Sequence, residues 1–255
     1  MKPSKEELFQ RLVRIGGDLS LSAGAFYKEQ LVGFILTGTG IYQGKPTAYN
    51  AGTGVLPGFR GNHLTEQLYT YLWEKFPIHN IQQCLLEVIT TNQRAIAIYH
   101  KLGFVIHRTY ECYVNTREIN APAPLLKIKI HLEKAERWEE LQSFWDTTPS
   151  WQNSWQAISQ NSADETILIA KANKQIVGYL SFLSDTGRVS QIAVLPDYRR
   201  MYIGWQLLQT AQKIAHPLQK LSFINIDQTY GPLHQFLKRV GFQNPIAQYE
   251  MIKTL

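Results

Sequence analysis

Hydrophobic and polar residues follow one another in short blocks along the second half of the chain, and these blocks predict a regular succession of strands and helices. The succession opens with a strand at 126–131 and two helical patterns at 133–144 and 151–159. Further along, the pattern predicts strands at 166–170, 176–182 and 189–195, a helix at 203–214, a strand at 221–226, a helix at 233–239 and a strand at 246–252. The mixture predicts an α/β domain.

The first half of the chain follows the same order, but only from the second strand onward. After one helix at 5–14, the pattern predicts strands at 19–26, 31–37 and 48–55, a helix at 64–76, a strand at 83–89, a helix at 94–102 and a strand at 105–113. We therefore expect the first half to lack the opening strand that the second half has.

Short stretches of sequence recur in the same order in both halves, which indicates two copies of one domain. The stretch V-L-P-G-F-R-G at 55–61 matches V-L-P-D-Y-R-R at 194–200, and Gly103-Phe104 matches Gly241-Phe242. A further match upstream has an offset about six residues larger, and we interpret 41–46 as a longer turn in the first copy.

The stretch Asn120-Ala121-Pro122-Ala123-Pro124 separates the two copies. Alternating prolines keep such a segment extended and fairly stiff. We predict two domains, at 1–119 and 125–255, and we call them copy one and copy two.

The composition is that of a folded chain without a disulfide scaffold. Of 255 residues, 44% are hydrophobic and 18% are charged, which excludes a disordered chain. The only two cysteines, Cys84 and Cys112, match no metal-ligand spacing, so we expect no metal. No apolar stretch approaches the ~18 residues that a membrane helix needs, and the N-terminus has no secretory signal. These features predict a cytoplasmic protein with no membrane partner.

The formal net charge of +6 is divided evenly between the two halves of the chain. A nucleic-acid-binding protein usually concentrates its basic residues on one patch, so we expect no nucleic-acid partner. The excess suits an anionic small ligand, although a solvated basic surface explains it as simply.

One strand–turn–helix segment is suited to bind an anion. A predicted strand ends at Val55, Pro57 forces a turn, and a helix begins near Asn62. The first turn of a helix presents unpaired N–H groups and the positive end of the helix dipole, and Arg60 adds a fixed positive charge. Many such units bind nothing, so these residues alone leave the presence of a phosphate site open.

The same segment, V-L-P-G-F-R-G-N-H-L-T at 55–65, resembles the acyl-CoA-binding motif of the GNAT N-acetyltransferases. A second signature of that family, N-x-x-A-x-x-x-Y-x-x-x-G-F, is matched by residues 92–104. The chain therefore resembles a tandem GNAT protein. The resemblance implies two GNAT-type domains, each with a mixed, mostly antiparallel twisted sheet flanked by helices.

The resemblance also implies that copy one binds acetyl-CoA as its co-substrate, without a metal. The positions that match the family's cofactor-binding residues are Thr53, Val55, Arg60, Gly61, Asn62, His63, Leu64, Thr65, Asn92 and Ala95. Among them, His63 and Thr65 stand where the family motif has glycines. His63 either contacts a phosphate or is an ordinary surface residue.

In the family, an amine attacks the thioester directly and a tyrosine at the position of Tyr99 protonates the leaving CoA thiolate. The alternative for Tyr99 is a helix aromatic packed on the sheet. Glu87 is the only acid in the strand at 83–89 and is our candidate for the general base, unless it faces solvent or pairs with an arginine. We expect a backbone N–H near 53–55 to hold the oxyanion.

Copy two departs further from the second signature, because it has Tyr230 at the position of Asn92 and Leu237 at the position of Tyr99. We therefore interpret the chain as an acyl-CoA-dependent N-acyltransferase that transfers an acetyl group to a primary amine, with copy one as the active copy. The alternatives are a non-catalytic acyl-CoA-binding or regulatory module and an aminoacyl transferase of the tandem-GNAT type.

The missing opening strand leaves an edge of the first sheet that needs a cover. Since copy two is tethered nearby, we expect an intramolecular domain–domain interface that involves 138–155 or the strand at 248–252. The sequence also leaves a homodimer open. Four tryptophans at 138, 145, 151 and 155 either line a pocket or pack in a core.

Overall fold

A computed structural model of the chain describes residues 5–133, 138–215 and 220–255. Through residue 115 the helices and strands are α1 (Lys5–Arg14), β1 (Ala23–Tyr27), β2 (Gln30–Tyr42), β3 (Lys45–Val55), α2 (Leu64–Lys75), β4 (Gln83–Ile89), α3 (Gln93–Lys101) and β5 (Val105–Asn115). Beyond it they are β6 (Lys129–Glu133), α4 (Trp138–Gln142), α5 (Trp155–Gln160), β7 (Glu165–Ala172), β8 (Gln175–Leu183), β9 (Arg188–Val194), α6 (Ile203–Ile214), β10 (Leu221–Asp227), α7 (Gly231–Val240) and β11 (Gln243–Thr254).

By contact, the chain divides into two compact units. The first contains Met1–Thr109 together with Gln248–Leu255, and the second contains Tyr110–Ala247. The predicted α/β class with two tandem GNAT-type domains is confirmed, since the same order of strands and helices occurs twice.

In the first unit, the strands lie in the order β1-β2-β3-β4-β11. Neighbours are antiparallel except β3 and β4, which run parallel. The helices α2 and α3 cover one face of this sheet: Leu72 and Ile96 are buried in one cluster with Cys84, Leu86 and Val88 of β4. Because side chains alternate along a strand, Glu87 of β4 projects from the other face.

In the second unit, β5 is followed by β10, β9, β8, β7 and β6. Only β9 and β10 are parallel, so this sheet is also mixed and mostly antiparallel. The apolar face of α6, with Leu207, Leu208 and Ala211, is buried against Val177 and Leu180 of β8.

The first sheet ends at β1, and within the described residues no strand precedes it. In the part of copy one that the structure describes, β6, the opening strand of copy two, therefore has no counterpart. The predicted strand at 19–26 is partly wrong: Leu19–Leu21 form a 3-10 turn capped by Asp18, and β1 begins only at Ala23.

The prediction of a longer turn at 41–46 is wrong. β2 and β3 pair as far as Tyr42↔Lys45, and only Gln43 and Gly44 connect them, both with positive φ. Two residues with positive φ are the form that a tight hairpin turn takes. The extra residues of copy one therefore lengthen the two strands, not the loop.

Two predicted helices of copy two differ in their bounds. The pattern at 133–144 includes Glu133, which ends β6, and residues 134–137, which lie outside the described residues; α4 covers Trp138–Gln142. The pattern at 151–159 begins as a 3-10 turn at Trp151–Asn153, and α5 starts after Ser154, whose side chain caps it.

The C-terminal strand completes the first unit. Residues 248–254 of β11 pair antiparallel with the whole of β4, from Gln248↔Ile89 to Thr254↔Gln83. Correspondingly, residues 110–115 of β5 pair with β10 in the second unit. The C-terminal strand was expected to help cover the truncated edge of the first sheet. It lies beside β4 instead, and β1 stays the terminal strand. The division of the chain into two domains at 120–124 is based on the sequence repeat, and it stays a prediction.

Among the described residues, no helix has the length and hydrophobicity to cross a membrane. The same part of the chain contains no group of three or more His, Cys, Asp or Glu side chains placed to hold a metal ion.

Candidate functional site

A cleft opens in the first unit where β3 and β4 diverge. Their parallel pairing runs from Thr47↔Gln83 to Asn50↔Leu86 and stops there. β3 continues to Val55 with only its other edge paired, to β2. The cleft has a volume of about 660 Å³ and lies between the end of β3, the loop before α2, and α3. This volume is in the ordinary range for a small-molecule site.

Most of the residues that the sequence predicted to bind acetyl-CoA line this cleft. They are Thr53, Val55, Arg60, Gly61, His63, Leu64, Thr65, Asn92 and Ala95. Asn62 is not among the lining residues; its side-chain amide donates to the carbonyl of Phe59 at 3.1 Å and so holds the loop. The cofactor-binding roles of all ten residues stay predictions.

The loop between β3 and α2 is shaped by a 3-10 turn and two left-handed residues. Pro57–Phe59 form the turn, and the Arg60 Nε donates to the carbonyl of Val55 at 3.2 Å. Gly61 has φ +87 and His63 has φ +55, after which α2 begins at Leu64. The motif glycine replaced by His63 therefore stands where the backbone is left-handed, which costs a residue with a Cβ about 1–2 kcal/mol.

His63 is exposed and pairs with an acid of its own helix. Its side chain is 73% exposed, and its Nδ1 lies 3.0 Å from Glu66 Oε1. Burial opposes ionisation of Glu66, but the hydrogen bonds with His63 and with its own backbone N–H, together with the nearby charges of His63 and Lys101, outweigh it and lower the pKa of that carboxyl. At neutral pH Glu66 is thus an anion beside the loop.

Positive charge surrounds the same space. Arg60 on the loop and Arg94 and Lys101 on α3 all line the cleft, and the first turn of α2 opens into it. Within the described residues, Arg60 forms no ion pair with a carboxylate. The guanidinium and the helix N-terminus together make this end of the cleft attractive to an anion.

Asn92 is the N-cap of α3. Its side-chain oxygen accepts a hydrogen bond from the backbone N–H of Ala95 at 3.2 Å. Such a cap stabilises a helix start by about 1 kcal/mol. The conspicuous asparagine of the second signature therefore has a structural role that fixes the helix carrying Tyr99.

Tyr99 lies on α3 and faces the cleft at the point where the two strands diverge. Only 9% of it is exposed, and its ring packs edge-on against Tyr69 and Phe104 at centroid distances of 6.4 and 5.8 Å. Burial raises the pKa of Tyr99 above 10.0, while a hydrogen bond with Thr53 acts in the opposite direction. The phenol is therefore protonated at neutral pH.

Glu87 is not among the described residues that line the cleft with Tyr99. It lies on β4 one position beyond the last β3–β4 pair and accepts a hydrogen bond from Tyr49 OH at 2.7 Å. Its direct neighbour on β11 is Glu250, which is fully buried and bound by Arg108 at 2.9 Å. Glu87 thus projects from the face of the sheet opposite to the one that α3 and Tyr99 cover.

In copy two the equivalent arginine is already neutralised. Arg199 Nε donates to the carbonyl of Val194 at 3.0 Å, as Arg60 does to Val55, but its Nη2 lies 2.9 Å from the carboxylate of Asp146. Tyr230, at the position of Asn92, donates to the same carboxylate at 2.5 Å. Asp146 therefore places a negative charge where copy one has a free cation.

The groove of copy two is also filled by apolar side chains. A Cβ on Gly204 would meet the Phe236 ring at 3.0 Å, and Phe236 packs edge-on against Trp205 at 6.3 Å. Leu237, at the position of Tyr99, is fully buried in the core. Arg200 and Tyr202 both have φ +62, so copy two has side chains at both left-handed positions of its loop.

A cavity of about 80 Å³ in the second unit is lined by Trp145 together with Asp146 and Tyr230. The Trp145 indole also donates to the Tyr179 hydroxyl. Trp151 is buried and Trp155 is 38% exposed, whereas the side chain of Trp138 lies outside the described residues. Trp145 therefore lines a pocket and Trp151 packs in a core, and these are the two uses proposed for the tryptophans.

Several residues that line the cleft, among them Arg94 and Lys101, were not singled out from the sequence. Arg94 and Lys101 carried a signal, since they lie two helical turns apart on the helix of the second signature. Asn50 and Tyr69 lie behind the cleft wall, bonded to each other at 2.6 Å. Their only sequence signal is polarity within otherwise apolar stretches.

A protein-family model matches the sequence of both halves of the chain. The model described as "Acetyltransferase (GNAT) family" matches residues 2–104 and again residues 133–242. No curated protein sequence matches the chain.

Solved structures with the same fold cover nearly the whole chain. A tandem GNAT protein from the clavulanic acid biosynthesis pathway is 12% identical, with a TM-score of 0.71 over 96% of this chain and 87% of that one. A GCN5-related N-acetyltransferase from Sphaerobacter thermophilus is 16% identical, with a TM-score of 0.66 over 89% and 78%. One from Kribbella flavida is 13% identical, with a TM-score of 0.66 over 96% and 92%. At these identities the likeness concerns the fold alone.

Proposed function

This chain belongs to the GNAT acetyltransferase family, and from that premise we propose that copy one transfers an acetyl group from acetyl-CoA to a primary amine. The observation that carries the proposal is the cleft in the first unit. It joins a cationic loop at a helix N-terminus to a buried, protonated tyrosine. The equivalent arginine of copy two is neutralised by Asp146, and the equivalent tyrosine is Leu237.

The residues of the cleft divide the binding of acetyl-CoA between them. The N–H groups of 61–65 and the guanidinium of Arg60 bind the pyrophosphate, as oriented amides at a helix start do. The arm of the cofactor then lies along α3 toward Tyr99. The edge of β3 beyond Asn50, which β4 leaves unpaired, offers its N–H groups near 53–55 to the thioester carbonyl.

The chemistry follows from these positions. The amine attacks the thioester carbonyl carbon, and the carbonyl oxygen takes up negative charge that the β3 amides stabilise. The carbon–sulfur bond then breaks, its electron pair goes to sulfur, and Tyr99 gives its proton to that sulfur. Tyr99 afterwards recovers a proton from solvent.

Glu87 is our proposed base for the proton that the attacking amine loses. It lies at the start of the opening between β3 and β4, on the face opposite α3. An amine that reaches the thioester through this opening passes Glu87, whereas acetyl-CoA occupies the cleft on the other side. The Tyr49 hydroxyl orients the carboxylate by donating to it.

The test is to mix the purified chain with acetyl-CoA and a panel of primary amines and to measure release of free thiol. We expect thiol release that depends on the amine and is absent with amine alone. Binding of acetyl-CoA without transfer to any amine would instead support the non-catalytic binding module. The observation that favours this second candidate is His63, a residue with a Cβ at a left-handed position where the family motif has glycine.

A further inference from the structure

The opening between β3 and β4 has a second face, on the side of the first sheet away from the cleft. Ile35 of β2 is buried in one cluster with α2, and it pairs with Thr53, so Thr53 faces the cleft. Paired residues of antiparallel strands share a face, and neighbours along a strand alternate between faces. Gly52, which pairs with Leu36, therefore faces away from the cleft. Glu87 projects from this same face, from which the amine of the proposed reaction approaches.

Gly52 leaves an open notch on this face, just beyond the last β3–β4 pair. A Cβ at this position would meet no heavy atom within 4 Å. The φ of Gly52 is not positive, so the backbone does not require glycine. The bulge in β3 does not require it either, because the bond from the Gly52 N–H to the Asn50 side chain, at 3.0 Å, uses only the backbone of residue 52. A glycine inside a strand that has no such reason often marks the close approach of a ligand.

The wall of this notch on the side of β2 is apolar. Leu36 pairs directly with Gly52, and Phe34 pairs with Gly54, two positions further along β3. The Phe34 ring lies over Gly54 so closely that a Cβ there would meet it at 2.6 Å. Both Phe34 and Leu36 are only partly buried, so part of each side chain is open to a ligand. A molecule in the notch therefore contacts an aromatic ring and an aliphatic chain.

The strands on the other side of the opening present one accessible negative charge. β4 and β11, which the structure describes completely, contribute one acid each to this face, and these acids, Glu87 and Glu250, pair directly. Glu250 is completely buried, and it accepts from Arg108 at 2.9 Å and from the Tyr42 hydroxyl at 2.8 Å. Glu87 is only partly buried and accepts from a neutral group, the Tyr49 hydroxyl, at 2.7 Å. A cationic acceptor therefore meets Glu87 and not Glu250.

We propose that Gly52, Phe34 and Leu36 determine which acceptor copy one takes, and that this acceptor is a primary monoamine with a flat apolar body and no carboxylate beside the amine. The amine meets Glu87, and the apolar body lies over Gly52 against the Phe34 ring. A second ammonium group would find no further accessible carboxylate on β4 or β11, and a carboxylate beside the amine would be repelled by Glu87. This inference rests on the proposed function, since it assigns the opening and Glu87 to the attacking amine.

Four amines test the substrate class. Phenethylamine has the proposed form, hexylamine lacks the ring, putrescine has a second positive charge, and the free amino acid L-phenylalanine adds a carboxylate to the same body. We expect kcat/KM to be highest for phenethylamine and about two- to tenfold lower for hexylamine, as for a lost aromatic contact. For putrescine and L-phenylalanine it should be at least about tenfold lower, because the apolar contact is lost or like charges meet. A chain that prefers putrescine or L-phenylalanine would overturn the proposed class.

Gly52→Val tests the notch because it fills the space without displacing another group. The variant should fold, since a β-branched side chain suits a strand and no atom of the chain occupies its place. We expect the KM for phenethylamine to rise at least about tenfold, while the KM for acetyl-CoA stays that of the wild type. The matched control is Gly58→Val, an exposed position where a Cβ also meets no atom within 4 Å and where copy two has Asp197. It should change neither constant.

Phe34→Leu separates the ring from the apolar wall in general. Leucine keeps an aliphatic side chain over Gly54 but offers no aromatic face. We expect kcat/KM for phenethylamine to fall about two- to tenfold, to the level of hexylamine, whereas the value for hexylamine stays the same. An unchanged preference for phenethylamine in Phe34→Leu would overturn the role of the ring.

Binding of the amine is measurable without turnover, by calorimetry with phenethylamine on the full chain in the presence of CoA. We expect the wild type and Gly58→Val to bind it alike, and Gly52→Val to bind it at least about tenfold more weakly. If phenethylamine binds in this way but no acetyl group is transferred, the acceptor site is supported and the proposed function fails. If amines are acetylated but Gly52→Val leaves kcat/KM unchanged for each of them, the acceptor site is overturned and the proposed function stands.

Discussion

At the scale of single residues, the central question is whether Tyr99 is an acid or a packing residue. Its ring packs against Tyr69 and Phe104, but the residue also lines the cleft. A residue that only packs would not need a hydroxyl. Removing the Tyr99 hydroxyl is therefore expected to affect catalysis and to leave the packing of the ring unchanged.

Tyr99→Phe keeps the ring and removes the proton donor. We expect kcat to fall by about ten- to a thousandfold while the affinity for acetyl-CoA barely changes, because the lost group acts only on the leaving sulfur. Steady-state kinetics and calorimetry on the same samples measure both quantities. Unchanged turnover would identify Tyr99 as a packing residue.

His63 offers a test of backbone strain at the same scale. Its φ of +55 is left-handed, where a Cβ costs about 1 kcal/mol and glycine costs nothing. We expect His63→Gly to unfold at higher denaturant than His63→Ala, with a difference of about 1 kcal/mol in the free energy of unfolding. Both variants lose the contact with Glu66, so that their comparison isolates the backbone. Equal stabilities would contradict the strain.

The sequence predicted Tyr99 but not its supports. The spacing of the second signature singles out the tyrosine and the asparagine at 92. Asn50, which accepts the Gly52 N–H, lies at a bulge in β3, and this bulge is fixed by how β3 pairs with β2. Local periodicity contains no information about that slip in register.

At the scale of elements, the two strand–turn–helix units can be compared directly. Both begin with a proline turn, and both arginines bond back to the strand they follow. They differ in their surroundings: Arg60 faces an open cleft, and Arg199 is bound by Asp146. The loop that contributes Asp146 lies between α4 and α5, whereas the described part of copy one has the one helix α1 before β1.

This comparison predicts which arginine acetyl-CoA needs. We expect Arg60→Ala to weaken binding at least about tenfold, since a charge-assisted contact to phosphate is lost. Arg199→Ala is the matched control and should bind as the wild type does, with one acetyl-CoA per chain. Isothermal calorimetry measures both affinity and stoichiometry. Loss of binding in Arg199→Ala alone would assign the site to copy two.

Some helices and strands also show where the sequence pattern is enough to predict their bounds. The helix at 5–14 and the strand at 83–89 agree with the structure, because each is a single block of consistent periodicity. The six extra residues near 41–46 were assigned to a turn, although they extend two strands. A polar and glycine-rich stretch fits either arrangement, and only the two-residue turn at Gln43-Gly44 decides between them.

At the scale of the whole molecule, the compact units do not follow the order of the chain. The repeat in the sequence predicts a boundary at 120–124, but the first unit needs the last eight residues of the chain. Strand order in a sheet depends on which edges are free when the chain folds, and hydrophobic alternation does not encode a partner. The hydrophobic pattern of the sequence could therefore not predict this exchange of final strands.

The C-terminal strand contributes to the first unit in three ways. Its residues 248–254 hydrogen-bond along the full length of β4. Met251 is completely buried in the cluster that also contains Tyr99. The carboxylate of Glu250 accepts from Arg108 at 2.9 Å and from Tyr42 at 2.8 Å.

A chain truncated after Ala247 should therefore lose the stability of the first unit and, with it, the cleft. Removing Met251 alone would cost about 2–5 kcal/mol as a buried side chain, and the half-buried Arg108 would lose the carboxylate of Glu250. We expect the truncated chain to melt earlier, and acetyl-CoA to give it no thermal stabilisation. Ile246→Ala in the full chain is the control: it removes an exposed side chain outside the β4 pairing and should change neither property. A truncated chain that melts as the full chain does and is still stabilised by acetyl-CoA would show that β4 does not depend on this strand.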